Sequence, residues 1–353
     1  MLSVKFFNLS KEQSPVTGGH FYDRNLSEIL SDSKNIEFEH TNIASNKKIS
    51  KFLLPAVEFF NGWKKKRNAD VIIFNSSKCL HFLPLAVFLR LFSKSKVHVI
   101  HHHFIYLEFH GLKKWIYKNA ESRFLKVADK IIVPSPYIYE ELKKYKKEKD
   151  LLLFRIPFEA RQEFPAAPQI GNLTFTGTIE PRKGLIYLFR SLKELGDRGV
   201  KYNLNIVGKI INENYYQQLK DYAETHNLKV NFLGFLDKTE KNKILSETDI
   251  FVFPSLLEGF GMVLVEAQVY GLPIVSFDNS AMPTTVKNDI NGFTVPTSDF
   301  KSFADKIEQI IKDRSLRAKL SEGALDNLKN QWTQEKFSTA VKEYYSNLIQ
   351  EKD

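Results

Sequence analysis

Two α/β domains, each a parallel sheet with helices on both faces, are the architecture this sequence predicts. Three observations carry the prediction. The chain has 353 residues, too many for one ordinary core and enough for two. Short apolar runs alternate with longer stretches of helical period in both halves. The alternation pauses once, at residues 159–172, EARQEFPAAPQIGN, whose two prolines, small residues and lack of period read as a linker.

In the first half, strands are expected at 3–8, 36–41, 70–75, 96–101, 130–134 and 151–156. They are rich in Val, Ile and Phe and nearly continuous in apolarity, as strands buried on both faces should be. Helical spacing falls between them, at 20–30, 49–66, 81–92, 111–127 and 136–147. In the second half, strands are expected at 173–176, 203–207, 229–232, 250–254, 273–277 and 293–295. The helices there are 184–198, 213–226, 238–247, 261–270, 300–313 and 316–329. A last helix, 334–349, places Phe337, Val341, Tyr345 and Leu348 on one face. Two doubly wound halves facing each other across a cleft follow. Ligands of such sheets bind beyond the carboxyl ends of the strands.

Composition narrows the function. Hydrophobic residues make up 43% and charged residues 26%, which is globular. No run approaches the length of a spanning helix, and residues 1–13 do not read as a secretory leader. Cys79 is the single cysteine, so no intramolecular disulfide or multi-cysteine metal site is expected. A reducing cytoplasm fits. The net charge is +10, and residues 1–165 hold 28 Lys+Arg against 17 Asp+Glu. An anionic surface is therefore expected near the first half. Nucleic acid is not the expected partner, because no zinc-finger, RNP or helix-turn-helix pattern accompanies the charge.

The most informative segment is 249–277, DIFVFPSLLEGFGMVLVEAQVYGLPIVSF. A strand ends at Pro254, and a loop with Glu258, Gly259, Phe260 and Gly261 opens a helix at Met262. Glycines let backbone amides approach a ligand. The helix start adds unsatisfied donors and partial positive charge, which suit phosphate or sugar oxygens. Glu266 lies within the apolar run of that helix, and a carboxylate there needs a polar partner. A second segment, LTFTGTIEPRKGL at 173–185, runs a strand into a turn with Thr178, Arg182 and Lys183, and Gly184 opens a helix.

These segments resemble the retaining, family 4 type glycosyltransferases of the GT-B fold (glycosyl transferases group 1). Glu258 and Glu266 match the family's E-x7-E signature, within FVFPS, EGFG and EAQVYGLPIVS. The resemblance implies that Glu258 holds the donor sugar near its reacting end and Glu266 the ribose hydroxyls of the nucleotide. The amides of Gly259, Phe260, Gly261 and Met262 would meet sugar hydroxyls. A carboxylate suits a vicinal diol, which offers it two hydrogen bonds. Lys183 and Gly184 match the family's G-R-x-x-x-x-K-G segment, where cations grip the donor diphosphate. The arginine position is Thr178, and Arg182 is the candidate second cation, although adjacent residues do not normally point the same way. Cations there would stabilise charge building on the leaving phosphate. No D-x-D or other metal-ligand cluster is found, so no metal and no cofactor are expected, the nucleotide sugar being a substrate.

Thr17, Gly18, Gly19 and His20 follow the first strand, where the family carries a Gly-Gly near the donor phosphates and acceptor. His101, His102 and His103 follow the fourth strand. The family places a histidine near the reacting sugar there, with His101 the first choice and His102 the second. Three in a row do not converge on a metal, since neighbours on a strand alternate faces. Ser135 reads as a helix cap. Two departures stand out: Pro157-Phe158-Glu159 replaces the family's P-N-G, and Ser280-Ala281-Met282-Pro283-Thr284 replaces its G-G-x-P-E.

The implied organisation is an acceptor-binding Rossmann-like domain at 1–160, a linker at 161–172 and a nucleotide-sugar-binding domain at 173–330. The helix at 331–353 is expected to pack back on the first domain. The partners implied are a UDP- or GDP-sugar and a glycan or lipid-linked acceptor. Helix 111–127 carries Leu112, Trp115, Ile116 and Phe124 among Lys113, Lys114, Lys118, Arg123 and Lys126. It reads equally as a peripheral contact with anionic lipid or as a core stripe with a solvated basic back. Basic runs at 64–67 and 143–147 add to that surface. Rival readings are a sugar-nucleotide epimerase or hydrolase of the same fold and a non-catalytic glycan-binding relative.

Overall fold

The computed structural model describes residues 1–8, 18–42, 69–158, 171–331 and 333–351. Thr17, the helix expected at 49–66, the basic run at 64–67 and most of the expected linker (159–170) lie outside the described residues. The chain divides into two units, Met1–Pro157 with Gln334–Asp353, and Phe158–Thr333.

The first unit holds a parallel sheet of β1 (Leu2–Asn8), β2 (Ile36–Asn42), β3 (Val71–Asn75), β4 (Lys96–Ile100), β5 (Lys130–Val133) and β6 (Leu151–Leu153). The spatial order is β2-β1-β3-β4-β5-β6. β3 is buried along its whole length, which explains its unbroken VIIFN. Continuous apolarity fails at β2, IEFEHTN. It is the edge strand, so Glu37 and Glu39 stay exposed, and Glu39 pairs with Lys5 of β1 at 2.7 Å.

Helices described in this unit include α1 (Gly18–Ser31), α2 (Cys79–Phe92), α3 (Gly111–Val127) and α4 (Pro136–Leu142). The last is shorter than the expected 136–147. Ser135 caps it, accepting from the Ile138 amide at 3.5 Å. The chain beyond Leu142 turns, and a 3-10 turn at Glu148–Asp150 leads into β6.

The second unit holds β7 (Asn172–Thr176), β8 (Asn203–Val207), β9 (Val230–Gly234), β10 (Ile250–Phe253), β11 (Ile274–Phe277) and β12 (Gly292–Val295), all parallel. Read from the β9 edge, the order is 3-2-1-4-5-6 within the unit, the doubly wound order of dinucleotide-binding sheets. Its helices are α5 (Leu185–Asp197), α6 (Glu213–Thr225), α7 (Lys238–Ser246), α8 (Met262–Val269), α9 (Met282–Thr285), α10 (Phe300–Lys312) and α11 (Arg314–Gln331). The core runs from Phe175, Phe251 and Phe253 on the strands to Leu188, Leu192 and Ile307 on α5 and α10.

The final helix, α12 (Gln334–Gln350), belongs to the first unit and buries Phe337, Val341, Tyr345 and Leu348 there. Phe337 meets Tyr22 edge-on at 5.4 Å. The hydroxyls of Tyr345 and Tyr344 flank the two ring nitrogens of buried His98, each at 3.3 Å. Burial pushes His98 down to about 3, so the ring is neutral when it shares hydrogen bonds with the two phenols. Each fully buried side chain of this size stabilises the docked helix by about 1.5–3 kcal/mol.

Candidate active site

Sheet order locates the site in the second unit. β7 and β10 are neighbours that leave the sheet's middle in opposite directions, which is the switch point where such sheets bind ligands. The loops following these two strands carry Lys183 and Glu258.

The first loop closes in a 3-10 turn, Pro181–Lys183, that ends at Gly184 with φ 66°. A Cβ on Gly184 would stand 2.0 Å from the carbonyl oxygen of Pro254. Only glycine allows the turn to sit against the end of β10 in that left-handed conformation. The Leu256 amide then donates to the Arg182 carbonyl at 2.9 Å, joining the two loops through backbone.

Side chains converge across this junction. The Lys183 ammonium donates to Glu258 Oε1 at 2.5 Å, and their side chains are 11% and 12% exposed. Ser255 Oγ donates to the same oxygen at 2.9 Å. Arg182 Nη1 lies 3.5 Å from it and donates to the Leu257 carbonyl at 2.9 Å. The expectation that adjacent Arg182 and Lys183 diverge is therefore corrected. In a 3-10 turn neighbouring side chains stand about 120° apart instead of on opposite faces as in a strand, and both long cations reach Glu258. Thr178, in the place of the family's arginine, donates to Glu180 at 2.6 Å, and Glu180 also holds Arg182 at 3.0 Å. The Phe253 ring lies 5.4 Å beneath the Lys183 ammonium.

Gly261, at φ 73°, precedes α8 and replaces a side-chain cap, so backbone amides open that helix. Glu266, on α8, is neither deeply buried nor aimed at bulk water. Its Oε2 accepts from Lys241 of α7 at 2.9 Å, and both side chains are 26% exposed. Among the described residues, no hydrogen bond or ion pair joins Glu266 to Lys183.

In the first unit, Gly18 and Gly19 open α1, and the three histidines follow β4. His101, the first of the two candidate histidines, is buried. It is 0% exposed, its Nδ1 is 2.8 Å from Ser76 Oγ, and Glu121 Oε1 lies 3.8 Å away. Burial holds its pKa well below the usual range and lifts Glu121 to about 7. β4 ends at Ile100, and beyond it His101 and His102 point to opposite faces, His101 toward Ser76 and Glu121 and His102 toward α1. His102 is 16% exposed, pairs with Asp23 at 3.1 Å, and lies against Gly19, where a Cβ would come within 3.5 Å of the ring. His103 pairs with Glu108 on the surface.

Sequence reasoning missed Ser255, Asn279, Lys241 and Asp23. The first two had a usable signal, since each follows the carboxyl end of a strand. Asn279, after β11, donates to the Ser255 carbonyl at 3.3 Å. Lys241 and Asp23 sit on helices with no spacing that ties them to Glu266 or His102.

Two family models match the chain. Residues 158–326 match glycosyl transferases group 1, and residues 20–151 match glycosyltransferase family 4. The chain belongs to the family 4, group 1 glycosyltransferases. Among relatives of this chain is the Staphylococcus aureus capsular polysaccharide biosynthesis glycosyltransferase CapM. It is 27% identical over 179 residues, 51% of this chain and 47% of that protein. Another is the Escherichia coli UDP-Gal:alpha-D-GlcNAc-diphosphoundecaprenol alpha-1,3-galactosyltransferase, 26% identical over 50% of this chain and 45% of that one. The matches thus span about half the length of these two relatives. Whole-chain likeness comes from solved structures. Sucrose-phosphate synthase from Thermosynechococcus elongatus superposes with TM-score 0.81 at 18% identity, covering 99% of both chains. Anabaena HepE, solved with UDP and glucose, gives TM-score 0.77 at 15% identity, covering 98% of this chain and 100% of that one. The chain therefore has the GT-B type of fold, two Rossmann-like domains.

Proposed function

We propose that this chain moves a sugar, with retention, from a nucleotide-diphosphate sugar to a glycan or lipid-linked glycan in cell-surface polysaccharide or lipopolysaccharide synthesis. The observation that carries the reading is the Lys183–Glu258 pair at the switch point of the second sheet. Cleavage of the sugar–phosphate bond builds negative charge on the leaving phosphate and positive charge on the sugar ring. Lys183 has three donors, so it can keep Glu258 and still meet a phosphate oxygen. Held before the donor arrives, it needs no reorganisation during reaction. Arg182 supplies the second cation and Glu258 a carboxylate for the sugar. Gly18, Gly19 and His102 serve the substrate from the first unit, with Gly259 to Met262 and Glu266 on sugar and ribose. A UDP-sugar is favoured over a GDP-sugar by the UDP and glucose bound to HepE and by the UDP-Gal donor of the E. coli relative. Lysine and arginine supply the positive charge in this reading, so no metal is required.

The test is turnover of UDP- and GDP-sugars, read as free nucleoside diphosphate with and without EDTA. We expect one donor to be hydrolysed or transferred at a rate that chelation leaves within about twofold. Loss of turnover in EDTA would overturn the metal-independent reading, and no turnover of any nucleotide sugar would leave a non-catalytic glycan binder.

The acceptor half also supports a membrane contact. Leu112, Trp115 and Ile116 on α3 are 72%, 64% and 41% exposed, and only Phe124 of that apolar set is buried. Leu91 and Phe92 project at the end of α2, which packs on α3. Lys113, Lys114 and Lys118 surround the α3 set. Lys143 and Lys144 contribute less, because Glu140, Glu141 and Glu148 pair with them. No helix among the described residues is long and apolar enough to cross a membrane. The protein would rest on an anionic leaflet from the cytoplasmic side. Cosedimentation with phosphatidylglycerol vesicles at low salt should fall about tenfold in Trp115→Ser, in line with about 1.5 kcal/mol or more per buried large side chain. Absence of wild-type binding removes the membrane contact.

A further inference from the structure

His102 is held in one orientation by groups that the transfer reaction does not explain. Its Nε2 lies 3.1 Å from Asp23 Oδ1, and the Asp23 side chain is 6% exposed. The other carboxylate oxygen, Oδ2, accepts from Asn75 Nδ2 at 3.0 Å. Asn75 cannot turn its amide over without loss, because its Oδ1 accepts from the Ser77 amide at 2.9 Å. Tyr22 packs edge-on to the imidazole at 5.5 Å and is itself fixed by a hydrogen bond from its hydroxyl to the Phe154 carbonyl. Gly19 closes another side.

The chemistry of these partners fixes the proton. An ionised carboxylate only accepts, so the nitrogen facing Asp23 must carry hydrogen. In the neutral ring, Nδ1 is then the acceptor. A nearly buried carboxylate is costly unless it is satisfied, and here one oxygen takes the amide and the other the imidazole.

We propose that Asp23, locked by Asn75, is a positioning residue that sets His102 as the Nε2–H tautomer, so that Nδ1 accepts a hydrogen bond from a substrate hydroxyl. The inference rests on the glycosyl-transfer reading. Asp23→Asn keeps the size of the side chain and removes its obligatory acceptor character. With the preferred nucleotide sugar, its kcat should fall about 10- to 100-fold, as when an orienting partner of a functional histidine is lost. The donor KM should stay within about threefold and thermal stability near wild type. His102→Gln should fall by a similar factor, and the double variant no further, because both remove one coupled interaction. Two-bond proton–nitrogen correlation spectra should show His102 protonated at Nε2 in the wild type and shifted toward Nδ1–H in Asp23→Asn.

Unchanged kcat in Asp23→Asn, losses that multiply in the double variant, or an Nδ1–H tautomer in the wild type overturns the assignment. The wild-type spectrum decides even if Asp23→Asn does not fold. Should the wild type turn over no nucleotide sugar, the functional reading fails, while the tautomer spectra still decide whether Asp23 orients His102.

Discussion

Lys183→Ala is expected to lower kcat for sugar transfer by about 100- to 1000-fold, the loss seen when one preorganised donor to a developing anion is removed. Lys183 is the better shielded of the two cations on Glu258, at 11% exposure against 39% for Arg182. Its charge therefore acts through less water than that of Arg182. If it acts only as charge builds on the phosphate, kcat and kcat/KM fall together. Arginine should not restore the rate, because a planar fork does not fit a point-charge position bounded by Phe253 and Glu258. Glu258 keeps Ser255 and Arg182 in Lys183→Ala, so the fold should survive. Steady-state kinetics at saturating donor check this, and a near-wild-type kcat would remove Lys183 from the phosphate.

The second large effect concerns nucleotide binding. In Glu266→Ala, most of the thermal stabilisation by the preferred nucleoside diphosphate should vanish. A carboxylate taking hydroxyl bonds contributes about 1.5–3 kcal/mol, or about 10- to 150-fold in Kd. At a nucleotide concentration about 100 times the wild-type Kd, stabilisation is about 2.7 kcal/mol. A 100-fold weaker variant retains about 0.4 kcal/mol under the same conditions. The apoprotein should change little, because the Lys241–Glu266 pair is about a quarter exposed and such pairs contribute about 0–1 kcal/mol. Differential scanning fluorimetry with UDP and GDP reads both quantities. An undiminished nucleotide shift in Glu266→Ala would mean that the ribose is held elsewhere.

Much of the site was legible because its chemistry is local. The loop 258–261 and the helix after it lie within a dozen residues, so glycines, glutamate and helix start could be read together. The turn at Arg182 and Lys183 was legible for the same reason. Which of the three histidines is buried was not. Adjacent residues after a strand face opposite ways, and one residue of strand end decides which is buried. With β4 ending at Ile100, His101 turns to Ser76 on one face and His102 to Asp23 of α1 on the other. α3 shows the same limit. Its period gives an apolar stripe whether or not anything covers it, and the neighbouring helices leave Leu112 and Trp115 uncovered.

By itself, then, the amino-acid order determined the alternation of strands and helices, the two Rossmann-like halves and the E-x7-E segment with its glycine loop. Periodicity, glycine turns and helix starts are properties of consecutive residues. The tertiary structure alone decided that Lys183 meets Glu258, that Lys241 meets Glu266 and that Asp23 meets His102. Those pairs are separated by 75, 25 and 79 positions. They are brought together by sheet order and helix docking, which spacing along the chain does not encode.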